Sequence, residues 1–466
     1  MILTNARLGD DLVDLRIQDG TIVELGSGLG AGDDLGGRWV LPGLWDNHVH
    51  FTQWTLHSQR VDLSAAASAV EAAAIMGRAD ASAGILIGAA FRDALWPDAP
   101  NLAVLDGATA GVPAVLVSGD LHAVWLNSAA LTQFGHAGHP TGLLREDDAF
   151  AVVGRLGAFP GETIDTWARA AATAAAKRGV VGIVDLEMDW NLASWRRRIA
   201  AGHDALRVEF AVYTEHLERA IAEGLHTGQR IDDLLTMGGY KVLTDGSLNT
   251  RTAYIHDEYE DHSHGMLTVP PEKLLPLMRR AAESGIKPYV HAIGDHANTL
   301  ALDAFEQIGS GGRIEHAQLL AESDIPRFAA LGVEASVQPE HAMDDRDVAE
   351  RHWAGRTGRT YAFRSLLDAG ATLLLGSDAP VSPLDPWVGI SAAVSRARDG
   401  REPWHPEQRI TVAEALDASA RTTVAVGQPA DLVVTELDPF TADGEQLRNM
   451  RVAATLLGGR YTYRAI

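Results

Sequence analysis

Two histidines one residue apart, His48 and His50, close the stretch 39–51, Trp-Val-Leu-Pro-Gly-Leu-Trp-Asp-Asn-His-Val-His-Phe. Side chains alternate along a strand, so both imidazoles point to one side, about 6–7 Å apart along the chain. That spacing lets two neutral ring nitrogens converge on one metal ion at about 2.0–2.1 Å. Taken alone such a pair is weak, because 18 His in 466 residues will form some by chance. Further donors end later apolar runs: Lys241 in Tyr-Lys-Val-Leu-Thr-Asp-Gly, His291 in Tyr-Val-His-Ala-Ile-Gly-Asp, His316 in Arg-Ile-Glu-His-Ala-Gln and Asp378 in Leu-Leu-Leu-Gly-Ser-Asp-Ala-Pro. Each histidine judged singly reads as a structural residue. Six metal-competent groups in equivalent places read as a metal centre.

The elements that must carry them recur with a regular order. After Val40–Phe51 come β-type runs at Val180–Asp185, Arg207–Tyr213, Tyr240–Thr244, Pro288–Ala292, Arg313–His316, Val333–Gln338 and Thr372–Leu375. Stretches of helical composition lie between most of them, such as Ile164–Lys177 before Gly179 and Pro271–Glu283 before Gly285. Eight such units predict an α/β fold of the (β/α)8 TIM-barrel type, with a doubly wound sheet as the alternative. In a barrel all strand C-termini open on one mouth, which would gather the six side chains.

Both chain ends are β-rich: Ile2–Leu8, Leu12–Gln18 and Thr21–Leu25, then Asp431–Glu436, Val452–Leu457 and Arg460–Tyr463, with Asp19-Gly20 and Gly458-Gly459 as hairpin turns. The expectation is one small β-sandwich from residues 1–42 and 410–466, with the barrel in 43–409. The gap at 52–160 is too long for a plain loop and reads as an insertion after the first barrel strand, standing over the barrel mouth. It should hold strands at Ile85–Ala89 and Ala114–Ser118 and a helix near Ala67–Ala79.

The formal charge of −23 argues against nucleic acid and against an anionic membrane surface as partners. No apolar run reaches the roughly 20 residues of a membrane span. The first residues lack the pattern of a secretory signal, and cytoplasm is the default expectation. Absence of Cys excludes disulfides, Cys-ligated zinc and thiol catalysis. These readings leave a small organic substrate, and they allow a homodimer.

The motifs at 41–50 (Leu-Pro-Gly-Leu-Trp-Asp-Asn-His-Val-His), 121–131, 241–253 (Lys-Val-Leu-Thr-Asp-Gly-Ser-Leu-Asn-Thr-Arg-Thr-Ala), 290–297, 313–318, 336–341 and 376–381 span nearly the whole chain. Together they resemble the amidohydrolase superfamily, in the branch that includes N-substituted formamide deformylases. The resemblance implies that His48 and His50 hold a more buried divalent ion, zinc foremost, and His291 and His316 a more exposed one. It places Lys241 where related enzymes carry a carboxylated lysine between two ions. The alternative is a plain lysine, paired with Asp245 or orienting substrate beside a single ion. Asp378 would ligate metal and move the proton of the attacking water.

His122, Trp125, Asp245, Arg251, Gln338 and His341 lie at motif positions and are expected near the substrate, although Asp245 and Arg251 could equally pin a loop. Trp54 and Trp125 are the aromatic residues expected to wall the pocket. The implied activity is metal-dependent hydrolysis of a non-peptide amide-type C–N bond in an N-acyl, N-formyl or cyclic amide. Lactone, ester or phosphoester hydrolysis on the same site is the alternative, and a non-catalytic barrel a third. One departure is a shortened turn at 424–432, which bears on the terminal domain and leaves the site untouched.

Overall fold

The computed structural model describes residues 1–466 except 82–83, 92, 94–95, 119–122, 146, 157–158 and 261. The chain divides into two compact units, one of Met1–Phe51 with Ala172–Ile466 and the other of Thr52–Ala171.

The first unit holds the barrel. Its strands are β1 (Leu44–Val49), β2 (Val180–Asp185), β3 (Arg207–Val212), β4 (Leu235–Leu243), β5 (Pro288–Ala292), β6 (Gly312–His316), β7 (Val333–Val337) and β8 (Leu373–Leu375). Each pairs in parallel with the next in sequence. The ring is joined between β1 and the end of β8, where Asp378 N donates to His48 O at 2.8 Å and His50 N to Ala379 O at 2.9 Å. Strands covered on both faces need apolar side chains at nearly every position, which is why they read as continuous runs. All residues of β2, β5 and β6 are buried.

Two strands differ from the sequence reading, both because of glycine. The first run is two strands. Trp39–Pro42 pairs antiparallel with Leu432–Thr435 in the terminal sheet, while Leu44–Val49 starts the barrel. The chain changes sheets at Gly43, where a Cβ would lie 2.4 Å from Val181 Cγ1. Strand β4 starts earlier than expected, running through Gly238 and Gly239. A Cβ on Gly239 would lie 2.6 Å from Lys287 O and from the Tyr289 ring, so glycine permits the close approach to the next strand.

The terminal sheet has eight strands and draws on both ends of the chain. Leu3, Leu15, Ile17, Ile22 and Val40 from one end share a core with Leu432, Val434, Ala454 and Leu456 from the other.

The second unit is built on a five-stranded sheet ordered Leu143–Arg145, Ala123–Leu126, Ala114–Ser118, Leu86–Phe91, Arg60–Asp62. The expected helix is present at Ala69–Met76, capped by the Ser68 side chain on Glu71 N. No helix among the described residues is long and apolar enough to cross a membrane.

Candidate metal centre

Strand β1 delivers His48 and His50 to the barrel mouth. His48 is buried, and its Nδ1 donates to Glu315 Oε2 at 2.7 Å, which fixes the tautomer and leaves Nε2 as a ligand atom. His48 Nε2 lies 3.3 Å from Asp378 Oδ1, and His50 Nε2 lies 3.4 Å from the same oxygen. Two ligands of one tetrahedral ion at about 2.0–2.2 Å are separated by roughly 3.3–3.6 Å. Both distances suit ligands of a single ion, and the ligand atoms of the three side chains all lie within 4.8 Å of one another. Asp46 holds the base of this group, its Oδ1 accepting from His48 N at 3.2 Å and Ser377 N at 2.8 Å.

Alternation along β6 poses a problem for Glu315 and His316, because adjacent residues face opposite sides. Glu315 takes the inward position beside His291, its register partner on β5. His316 and Ala317 adopt φ of 78° and 42°, a left-handed backbone that turns the His316 ring back toward the other histidines. Its centroid lies 4.9 Å from that of His48 and 4.5 Å from that of His291. Asp378 is also left-handed, with φ of 57°. Strain of this kind, about 1–3 kcal/mol per residue, persists where surroundings over-determine it.

A second donor group consists of His316, His341 and Asp378, whose ligand atoms all lie within 4.8 Å of one another. His341 sits in the first turn of the helix Pro339–His352. The buried atoms His50 Nδ1, His316 Nδ1, His341 Nε2 and Lys241 Nζ have no hydrogen-bond partner among the described residues. So many idle polar atoms in one buried place are costly, and a bound cation would use the imidazoles.

The other expected residues fall as follows. Lys241 is fully buried in β4. His291 turns its Nε2 toward Gly246 O at 3.2 Å and Asp245 Oδ1 at 3.4 Å. Asp245 is occupied by backbone, accepting from Ile293 N at 3.1 Å and from Tyr254 N and Gly294 N at 2.9 Å each. Arg251 is exposed and makes no ion pair with Asp245. Gln338 is buried against His48 and donates to Ser336 O at 3.3 Å. Within the second unit, Trp54 is half-buried and stacks on His57. Trp125 is fully buried beside Trp96 and offers no surface to a ligand. His122 lies outside the described residues.

Electrostatics favour neutral imidazoles at part of the centre. Burial, helped by Lys241, pushes His291 down to about 3, and burial with His291 and His48 drives His316 well below the ordinary range. A neutral ring has the lone pair a cation needs. Burial also opposes charge on His48, yet Asp378 and Glu315 outweigh it and hold its pKa above the usual value. Against the upward push of burial, Lys241 and His48 bring Glu315 down to about 2. Burial lowers Lys241.

Glu315 was not singled out from sequence, although the motif Arg-Ile-Glu-His contains it. The available signal is charge at period two, Arg313 and Glu315, with His316 closing the same strand.

Residues 33–463 match the amidohydrolase family. The chain belongs to that family. It is 28% identical to the protein LONG AFTER FAR-RED 3 of Arabidopsis thaliana, over 96% of this chain and 88% of that one. It is 26% identical to an N-substituted formamide deformylase of Arthrobacter pascens, over 78% and 76%. An uncharacterized metal-dependent hydrolase of Pyrococcus horikoshii has the same fold, with a TM-score of 0.78 at 24% identity, covering 95% of this chain and 99% of its own. Family membership and the His/Asp clusters together make this amidohydrolase-family chain a metal-dependent hydrolase of a C–N bond.

Proposed function

We propose that the protein hydrolyses a non-peptide amide-type C–N bond, N-acyl, N-formyl or cyclic, in a small neutral molecule. The reading rests on one observation, the single carboxylate oxygen of Asp378 set against both His48 and His50. His48, His50 and Asp378 would hold the first divalent ion, with His291, His316 and Lys241 completing the centre; imidazole and carboxylate donors suit zinc and also admit manganese, iron or cobalt. The buried Lys241 amine, lowered in pKa and without a hydrogen-bond partner among the described residues, suits conversion to a carbamate that would offer two anionic oxygens.

A divalent ion bound there supplies Lewis acidity, polarising a carbonyl and bringing the pKa of water toward 7. Asp378 takes the proton of the attacking water and delivers it to the leaving nitrogen. Glu315 keeps His48 Nδ1 protonated and so holds Nε2 in its ligating form. We rank N-formyl compounds first among the candidates, a reading supported by the similarity to a formamide deformylase.

The test is a hydrolysis screen of the zinc-loaded protein across N-formyl, N-acyl, cyclic imide and lactone compounds, with aryl and alkyl members of each. Turnover is expected on amide-type members. Turnover confined to lactones would overturn the reading.

A further inference from the structure

Asp345, on the helix Pro339–His352, is buried and forms no ion pair among the described residues. Its carboxylate is met by three neutral donors instead. Oδ1 accepts from Asn249 Nδ2 at 2.8 Å, and Oδ2 accepts from Tyr361 Oη at 2.7 Å and Gln318 Nε2 at 3.1 Å. A buried charge without a counter-charge is an expensive way to gain stability alone. Two of its three donors, however, stand on segments joined to metal donors. We propose that Asp345 is a positioning residue that sets His291 and His316 for the ion, acting through Asn249 and Gln318.

This inference rests on the metal-dependent reading above and adds to it a residue that touches neither ion nor substrate. Asn249 is at the tip of the loop that follows β4. The loop is closed on itself, with Gly246 N donating to Thr252 O at 3.1 Å, Ser247 N to Thr252 Oγ1 at 3.1 Å and Thr252 N to Ser247 O at 3.0 Å. A shift at the tip is therefore carried to the base. There Gly246 O accepts from His291 Nε2 at 3.2 Å, which fixes the ring and leaves Nδ1 as the ligand atom. Gln318 follows His316 by two residues, just beyond the left-handed backbone of His316 and Ala317. Strain there persists only where the surroundings hold it. Asp345 grips the Gln318 side chain, and Tyr361 N donates to Gln318 O at 2.7 Å. One carboxylate thus braces the segments beside two donors at once, and outer contacts of this kind leave little reorganisation for the arriving ion.

On the full-length protein, chelator competition gives the affinity of the zinc that is released first, and the visible spectrum of the cobalt(II)-loaded form reports ligand geometry. Asp345→Asn and Asp345→Ala should each weaken that zinc by about 10–100-fold and alter the cobalt spectrum. Asn249→Ala should move both in the same direction, and adding it to Asp345→Ala should cost little more, because the two act along one path. Tyr361→Phe removes the third donor, which lies on a segment carrying no ligand. It should lower the melting temperature of the metal-free protein and keep wild-type affinity and spectrum. Unchanged affinity and spectrum in both Asp345 variants would overturn the proposal. So would a loss in Tyr361→Phe equal to that in Asp345→Asn, since metal binding would then merely follow stability. Should Asp345→Ala fail to fold, Asn249→Ala, at an exposed position, carries the test by itself. Wild type that takes up no metal would sink the metal-dependent reading together with this one, whereas a metal-binding wild type with unaffected variants would sink this inference alone.

Discussion

At the scale of single residues, the centre depends on groups that cannot be exchanged for their isosteres. Asp378 is held in a left-handed backbone by its N–H on His48 O, which aims its carboxylate into the histidines. Burial alone would raise its pKa, but His48 and His50 hold it well below the ordinary carboxylate range. A carboxamide at this position keeps the shape and loses the proton acceptor. Asp378→Asn should lower kcat by about 10²–10⁴-fold with a much smaller change in KM, the usual size for an acid–base group. Steady-state kinetics at matched metal content checks this, and near-normal turnover would exclude the proton-moving role.

At the scale of elements, the passage from terminal sheet to barrel turns on Gly43. Trp39–Pro42 belongs to one sheet and Leu44–Val49 to the other, so the backbone crosses β2 at close range. Gly43→Ala would set a Cβ 2.4 Å and 2.6 Å from the two Val181 methyls and 3.1 Å from the Asp431 carbonyl carbon. Overpacking of this kind costs about 1–3 kcal/mol. Chemical denaturation should show a loss of that size, and Val181→Ala combined with Gly43→Ala should recover part of it. A double variant no more stable than Gly43→Ala would place the conflict in the backbone instead. The consequence reaches the site, because β1 carries His48 and His50 only a few residues beyond this crossing.

At the scale of the whole molecule, the barrel mouth concentrates partly compensated charge: Glu315, Asp378 and Lys241 are all buried there with the histidines. A bound cation would satisfy imidazoles that are otherwise idle, and would bind the folded chain far better than the unfolded one. Removal of metal by a chelator should therefore lower the melting temperature, and zinc should restore it. At a free concentration 100-fold above Kd, one ion is worth about 2.7 kcal/mol. Calorimetry with and without zinc measures the difference, and identical transitions would show that the folded centre does not bind the ion.

Much of this architecture was legible in the residues themselves. Barrel strands covered on both faces are largely apolar, so all eight stood out, and the donors at or near the ends of the first, fourth, fifth, sixth and eighth marked the mouth. The hairpin turns at Asp19-Gly20 and Gly458-Gly459 marked the terminal sheet for a similarly local reason. Tertiary structure decided what local pattern could not. Glu315 meets His48 from 267 residues away, and Asn47 reaches Leu375 O across 328. No periodicity within a strand encodes such pairs. Alternation also fails at strand ends, where His316 and Asp378 leave the β region and their side chains take directions set by neighbouring strands. His341 illustrates both limits: its place near Asp378 comes from a helix anchored through Asp345 to two other loops. The sequence by itself named the candidate donors and the barrel that carries them; only the folded contacts between distant segments decided which of them face one another.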